Sequence, residues 1–331
     1  MASTKRKRAK LEKNHWGYIF IAPFFLTYLI FQVVPLVDTF RYALTNAKAW
    51  YTDPSQNFDF VGLDQFKVIL EDTYFRDAMY NTPVMWLMGF IPQLGMALLL
   101  AAWFTNEKIR VKGQGFFKVV FYMPNIMTAT TVGVLFLAFI RPNGFIHNFA
   151  VSIGYLKSSR MPFTSEWFGR GIVAFIQWWM WYGQTMIVLI AGILGINPSF
   201  FEAASIDGAS GFQTFRKITL PLIKPIMTYT LVTSLIGGFQ MFDVPNMFAI
   251  GNNAAAFGPH VTTIVIYIKK IAYTGTTSVG KACAASVFLF AVTAAIALFL
   301  FWIMRDKDEA KAKKAAKKRA KEQAALEGGN I

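Results

Sequence analysis

Cysteine is almost missing from this chain: Cys283 is the only one among 331 residues. No disulfide can form within it, and a single thiol set among alanines reads as packing rather than chemistry. Histidine is nearly as scarce. His15, His147 and His260 are scattered along the sequence and offer no cluster of the kind a metal site requires. Charge is thin as well, with Asp, Glu, Lys and Arg together at 15% against about one quarter in soluble domains. These shortages argue against a disulfide scaffold, a disordered chain and an ordinary cytosolic enzyme.

What is present is apolar and basic. Hydrophobic residues make up 55%, and 33 Lys and Arg stand against 18 Asp and Glu, a net charge of +15. A surplus of that size raises the question of a nucleic-acid partner, so its position matters. Residues 1–15 carry Lys5, Arg6, Lys7, Arg8, Lys10 and Lys13 against Glu12, and residues 305–331 carry nine basic and five acidic residues. Nine of the fifteen excess charges therefore sit on two tails. Neither tail interleaves aromatic rings with its basic residues, as a single-strand binding platform does. They read instead as topology signals and contacts to anionic lipid, with no nucleic acid involved. The stretch 311–326 has the Ala/Lys/Glu composition of a solvated helix.

Between the tails lie six long apolar segments: Trp16–Phe40, Ala78–Phe104, Phe116–Ile140, Gly171–Leu194, Ile226–Ile250 and Ala282–Met304. Each is apolar on most faces and about as long as a bilayer-crossing helix. Prolines such as Pro23, Pro35, Pro83, Pro92, Pro124 and Pro245 fall inside them, which membrane helices tolerate when neighbours satisfy the freed backbone. The first segment is too long for the apolar core of a signal peptide and no small-residue cleavage site follows it, so it reads as an uncleaved span. The expected fold class is all-α, a polytopic membrane protein with six transmembrane helices. Its parts are a basic tail (1–15), a six-span transmembrane domain (16–304) with an inner loop at 195–224, and a second basic tail (305–331).

An even number of spans puts both tails on one side. That side, with loops 105–118 and 195–224, carries 22 basic residues, whereas loops 41–77, 141–170 and 251–281 carry 11. The basic-rich side is the cytoplasmic one. Segments 63–72 and 261–273 read as short helices at the outer interface.

The inner loop before the fifth span reads NPSFFEAASIDGASGFQTFRKITLPLIKP, the pattern of two helices joined at a turn. Ser199 and Glu202 stand at capping-box spacing, and Gly208 suits a helix end. A second helix is expected from Ser210 to Lys217, with Pro221 stopping it. The small Ala203 and Ala204 leave room for another protein's surface. At these residues the sequence resembles the permease subunits of binding-protein-dependent ABC importers. Their signature is EAA, three residues, Gly, nine residues, then Ile-x-Leu-Pro. Here Glu202-Ala203-Ala204, Gly208 and Ile218-Thr219-Leu220-Pro221 keep both spacings. The resemblance implies a type I importer permease fold, with this loop as the coupling helix that docks on a separate ATPase subunit.

The likeness extends from Trp16 onward. GYIFIAPFFLTYLIFQVVPLVDTF, the stretch Phe212–Lys217, Phe257-Gly258-Pro259 and Gly280-Lys281-Ala282 are similar to the sugar-type permeases, those related to the larger permease of the maltose system. That permease's large external domain has no counterpart in loop 141–170. The resemblance implies four kinds of partner: a second homologous permease, two ABC ATPases that bind ATP and Mg, an extracellular solute-binding protein, and a sugar. The chain itself would hold no cofactor and catalyse no reaction, and it would sit in a bacterial cytoplasmic membrane. A near-match to a phosphate-binding loop, GTTSVGKA at 275–282, has Ala282 where a magnesium-binding hydroxyl belongs and no strand before it. ATP hydrolysis therefore falls to a partner.

Polar groups inside spans are costly and mark functional positions. The fifth span carries Gln240, Asp243 and Asn246 at i, i+3, i+6, which one continuous helix would place roughly along one face. The fourth carries Gln177, Trp181 and Gln184 beside Trp178, Trp179 and Tyr182, and Asn125 follows Pro124 in the third. Aromatic rings stack on the C–H faces of sugars while amides and carboxylates bond to hydroxyls. Asn125, Trp178, Trp181, Tyr182, Gln240, Asp243 and Asn246 are thus candidate substrate contacts. The competing explanations are hydrogen bonding between helices and interface anchoring of tryptophans. Two other functions stay open: carriage of glycerol 3-phosphate or another polar solute, and ion-coupled secondary transport through Asp243. The orientation has a direct check. A green fluorescent protein fused after Ile331 is expected to fluoresce and an alkaline phosphatase at the same point to be inactive; the reverse pattern would overturn the cytoplasmic placement of the tails.

Overall fold

The computed structural model describes residues 15–48, 59–106, 112–157, 165–249, 258–274 and 278–304. Nearly all of both basic tails, the helix expected over 311–326, Phe257 and residues 275–277 of the GTTSVGKA stretch lie outside the described residues. Among those described, the regular structure is helical, with one isolated bridge between Thr45 and Phe60. Contacts divide the chain into two units: Met1–Ile69 with Ile271–Val287, and Leu70–Lys270 with Phe288–Ile331.

In the first unit, α1 (His15–Tyr28) and α2 (Val34–Tyr42) are joined by a π turn, Leu29–Val33. The turn stands just before Pro35, whose ring has no amide to donate and would collide with the carbonyl four residues back. Widening the helix by one residue relieves that clash, and the Val34 amide bonds back to Leu29. None of the most apolar stretch of 17–42 is buried within the protein. Beyond α2, Asn46 and Asp59 exchange hydrogen bonds of 3.0 and 3.1 Å. The Ala47 carbonyl accepts from the amide of Gly280 at 2.9 Å, at the start of α15 (Val279–Met304). Helix α3 (Asp64–Glu71) forms where 63–72 predicts it.

The second unit is organised by α4 (Thr73–Phe104) and α8 (Glu166–Leu194), which pack along each other. Asp72 caps α4 by accepting from the Tyr74 amide at 2.9 Å. Lipid tails are as apolar as leucine, so burying apolar area drives little helix association in a membrane; close packing and hydrogen bonds carry it. Small residues meet that need at Gly89, Ala97, Ala101 and Ala174, all buried. In the same buried layer, Gln93 Nε2 donates to Thr185 Oγ1 at 2.8 Å. One core gathers Met85, Val173, Ile176 and Met180 with Val132, Val244 and Phe248; a second gathers Ala97, Ala101, Met186, Leu189 and Ile193 with Ile223.

Two expected spans are broken helices. Phe116–Ile140 is α5 (Gln114–Ile126) followed by α6 (Ala129–Ile140). Met127 and Thr128 between them are extended, and the Thr128 hydroxyl caps α6 by accepting from Thr131. After a turn at 141–144 comes α7 (Phe145–Ser152), absent from the sequence expectation. The fifth span, expected over Ile226–Ile250, is α12 (Lys224–Phe239) and α13 (Asp243–Ala249), with Gln240–Phe242 outside both; Ile250 lies outside the described residues. Gly237 and Gly238 weaken the end of α12. Pro245 is tolerated because it falls in the first turn of α13, where no amide is needed. Among the described residues, five stretches are long and apolar enough to cross a membrane: 17–42, 73–104, 129–152, 166–194 and 279–304. A sixth is counted if the pair 211–222 and 224–249, bent by 68°, forms one span.

Opposite the loop at 195–224, a polar clamp ties a 3₁₀ turn (Gly258–Val261) and α14 (Ile264–Tyr273) to α4 and α8. Asn81 Nδ2 donates to the Pro259 carbonyl at 2.8 Å, and its Oδ1 accepts from Arg170 Nε at 3.0 Å. Arg170 is buried, flanked by Glu166 at 3.5 Å and by the rings of Tyr80 and Trp167. Thr82 Oγ1 accepts from the Ile264 amide at 3.1 Å. Tyr267 donates to Asp72 at 2.7 Å; burial, and then the Asp72 carboxylate, push its hydroxyl well above the ordinary tyrosine value. Replacing Asn81 by Leu leaves the Arg170 Nε–H without its acceptor, a loss worth about 1–3 kcal/mol for a buried donor. The expected result is a lower melting midpoint of the purified protein, and an unchanged midpoint would remove the clamp from the account of stability.

Candidate functional site

Where α12 gives way to α13, a cavity of about 400 Å³ opens among α4, α8, α12 and α13. Its walls alternate rings and hydrogen-bonding groups. From α4 come Trp86, Phe90 and Gln93; from α8, Gln177, Trp181 and Gln184; from α12, Tyr229, Thr233 and Ser234; from the break and α13, Gln240, Phe242 and Asp243. Trp86 lies stacked on Phe90, with ring centroids 5.5 Å apart and planes 16° apart. Its indole N–H donates to Ser234 Oγ at 3.1 Å. Gly238 makes that pose possible, because a β-carbon there would stand 2.0 Å from Trp86 Cδ1. Thr263 Oγ1, from the clamp, donates to the Met241 carbonyl at 2.9 Å and satisfies backbone that the break leaves open.

Of the candidate substrate contacts, the structure brings Trp181, Gln240 and Asp243 to this cavity. It does not bring Asn125, Trp178, Tyr182 or Asn246. Gln240 and Asp243 share it through the break rather than along a continuous helical face. Gln240 closes α12 and Asp243 opens α13, while Asn246 turns into the protein, buried, with its Oδ1 lacking a hydrogen-bond partner. Trp178 packs edge-on against Phe175 and beside Tyr182, and its buried N–H also lacks a partner. Tyr182 packs on Phe121, and Asn125 sits half-buried in the last turn of α5. The wall from α4 was missed. Its signal was present, since Trp86, Phe90 and Gln93 repeat the i, i+4, i+7 spacing of Gln177, Trp181 and Gln184.

The loop between α8 and α12 folds as α9 (Ser199–Ile206), α10 (Gly211–Thr214), a π turn (Phe215–Thr219) and α11 (Leu220–Leu222). Ser199 does not cap α9. Pro198 is pre-set for a first helical position, which moves the start back one residue. Asn197 then caps the helix, its Oδ1 accepting from the Ser199 amide at 3.0 Å. The capping box is instead Ser210 with Gln213. Gly208 ends α9 with φ +70°. The Gly208 and Ala209 amides bond back to Ser205 and Ala204, the pattern of a Schellman ending.

The π turn again precedes a proline by two residues, here Pro221. The chain nevertheless bends after Pro221, at Ile223. Glu202, Ala203, Gly208 and Pro221 are exposed, Ile218 and Leu220 half-buried, and Ala204 buried, so Ala203 alone of the two alanines is open to close approach. Ile206 and Phe212 stand 86% and 72% exposed. A second cavity of about 430 Å³ separates α9 from the ends of α4 and α8, and Glu202 borders it.

Five or six apolar crossings with a polar cavity at a broken helix define a multi-pass membrane protein. The chain belongs to the binding-protein-dependent transport system inner membrane components, a family that matches residues 74–306. It is similar to the lactose transport system permease protein LacF of Rhizobium radiobacter, 26% identical over 93% of this chain and 100% of LacF. It is also similar to the sn-glycerol-3-phosphate transport system permease protein UgpA of Escherichia coli, 29% identical over 85% of this chain and 91% of UgpA. A crystal structure of a bacterial ABC transporter involved in the import of the acidic polysaccharide alginate superposes with a TM-score of 0.73. That pair is 26% identical, and the match covers 88% of this chain and 96% of the other.

The Trp86 pose has a direct test. Gly238→Val is expected to displace the indole, break its bond to Ser234 and lower uptake by at least about tenfold, as buried close contacts with no room to relax cost 1–3 kcal/mol or more. Assembly of the complex, followed by co-purification, is the control. Normal uptake would separate the Trp86 wall from transport.

Proposed function

We propose that this chain is one permease of an ATP-driven importer for an oligosaccharide or related sugar. The observation that carries the proposal is the cavity at the break between α12 and α13, where Trp86, Phe90 and Trp181 offer faces for sugar rings. Gln93, Gln177, Gln184, Gln240 and Asp243 offer partners for hydroxyls. Small-molecule sites of this kind are concave, mostly apolar and fitted with a few placed polar groups. The family's dependence on a binding protein supports a solute-binding protein as the donor of the sugar on the outer face. A second, homologous permease completes the pathway, and two ABC ATPases on the cytoplasmic side bind ATP and Mg and perform the hydrolysis. Both tails of this chain lie on that side.

The coupling surface is α9 and its turn. The Schellman ending at Gly208 fixes the helix rigidly, so α9 moves as a body when the ATPases close. Exposed Ile206 and Phe212 supply apolar anchors of the kind that dominate docking energetics, and Glu202-Ala203 lies beside them. The displacement passes along α10 and α11 to the bend at Ile223. From there it reaches α12, which forms one wall of the cavity, and the pathway alternates between its two openings.

Glu202→Ala and Gly208→Pro test this assignment. Proline holds φ near −65° and cannot adopt the +70° of Gly208. Both variants are expected to insert and assemble yet lose uptake, with ATPase activity no longer responsive to sugar-loaded binding protein. Wild-type uptake in both would sink the coupling role. Uptake by the chain alone, without any ATPase, would favour an ion-coupled transporter instead.

A further inference from the structure

The cavity has a second property, its sign. Among the described residues, four glutamines, three threonines, a serine, a tyrosine and two tryptophans line it, and Asp243 is the only charged one. Lys269 of α14 holds its ammonium 4.6 Å from the centre of the Phe242 ring and is not a lining residue. Arg170, buried, is held by Asn81 and Glu166 and is not a lining residue either. Asp243 itself is exposed, in the first turn of α13.

One carboxylate in this cleft sets the sign of its field, since no cation stands among the described residues that line it. A neutral sugar meets Asp243 as a hydrogen-bond acceptor for its hydroxyls. A uronate or a phosphate meets it as a like charge, which costs affinity and also leaves the ligand's own anion without a donor of opposite sign. Sequence identity is silent on this point. Relatives named for lactose, for sn-glycerol 3-phosphate and for import of an acidic polysaccharide stand between 26% and 29% identical.

We infer that the cavity of this subunit admits uncharged oligosaccharides and rejects those bearing carboxylate or phosphate, with Asp243 as the residue that sets the discrimination. The inference rests on the sugar-permease proposal above and narrows its substrate class. It also assigns Asp243 to specificity rather than to ion coupling.

The test uses the full complex, purified in detergent with both permeases and both ATPases but without the binding protein, so that only the membrane pathway selects. Binding of galactotriose and of trigalacturonate is followed by saturation-transfer NMR, at low and at high salt. Wild-type complex is expected to prefer the neutral trisaccharide by about tenfold or more, since like charges facing each other cost several kcal/mol. The preference should shrink at high salt as the carboxylate is screened. Asp243→Asn should bring the two sugars within about threefold of each other and remove the salt effect, a loss that a change in packing alone would not produce. Asp243→Glu should restore the preference, and Asp243→Lys should reverse it.

Equal binding of the two sugars by the wild type would overturn the inference while leaving the sugar-permease proposal in place. So would an unchanged ratio in both Asp243→Asn and Asp243→Lys. Binding of neither sugar would remove the cavity as a sugar site and the inference with it. Import driven by the binding protein, measured in parallel in proteoliposomes, reports separately on the wider proposal.

Discussion

Inside a bilayer a backbone amide or carbonyl has no water to turn to, and this constraint decides where the chain departs from straight helix. Each departure in the spans comes with a substitute bond. Ahead of Pro35 the helix widens into a π turn, and the Val34 amide reaches Leu29. Between α5 and α6 the Thr128 hydroxyl takes the Thr131 amide. Between α12 and α13 the Met241 carbonyl takes the Thr263 hydroxyl, brought from twenty-two residues away. The breaks are built features, not frayed ends.

The break at Gln240–Phe242 has the largest effect because it converts a wall into a site. In an unbroken helix, Gln240 and Asp243 would share a face with Asn246. Here the first two reach open space and Asn246 is buried. The opposite wall depends on an absence: with no side chain at Gly238, the Trp86 indole can lie flat over Phe90 and bond to Ser234. Polar residues that look alike in a hydropathy profile therefore end in different surroundings, some bordering the cavity and some packed without partners.

That difference explains what the residues disclosed and what they did not. The apolar runs and the fixed spacing from Glu202 to Pro221 are patterns along the chain, legible without coordinates, and the family match agrees with them. The breaks were not legible. Proline and glycine occur in continuous membrane helices too, as Pro83 and Pro92 inside α4 demonstrate. Whether such a residue ends a helix depends on a partner elsewhere in the chain, such as Thr263 for Met241. The cap of α9 was misplaced for a smaller reason: Asn197 and Ser199 are both good caps, and the fixed φ of Pro198 chose between them. The α4 part of the cavity wall escaped notice because it is built mostly of rings set in an apolar run, so of Trp86, Phe90 and Gln93 only Gln93 stands out by type.

The clamp around Arg170 has a consequence for how the chain is made. Its bonds join residues far apart in sequence: Asn81 to Arg170 across 89 positions, Asn81 to Pro259 across 178, and Asp72 to Tyr267 across 195. A ribosome delivers these partners in order, and α4 and α8 are both synthesised before Pro259 and Tyr267 exist. Until then Asn81 has Arg170 but not the Pro259 carbonyl, and the Met241 carbonyl lacks the Thr263 hydroxyl. The cavity therefore takes its finished form only near the end of translation. A chain cut short before Thr263 would carry most of the apolar helices but not the hydroxyl that satisfies the Met241 carbonyl at the break.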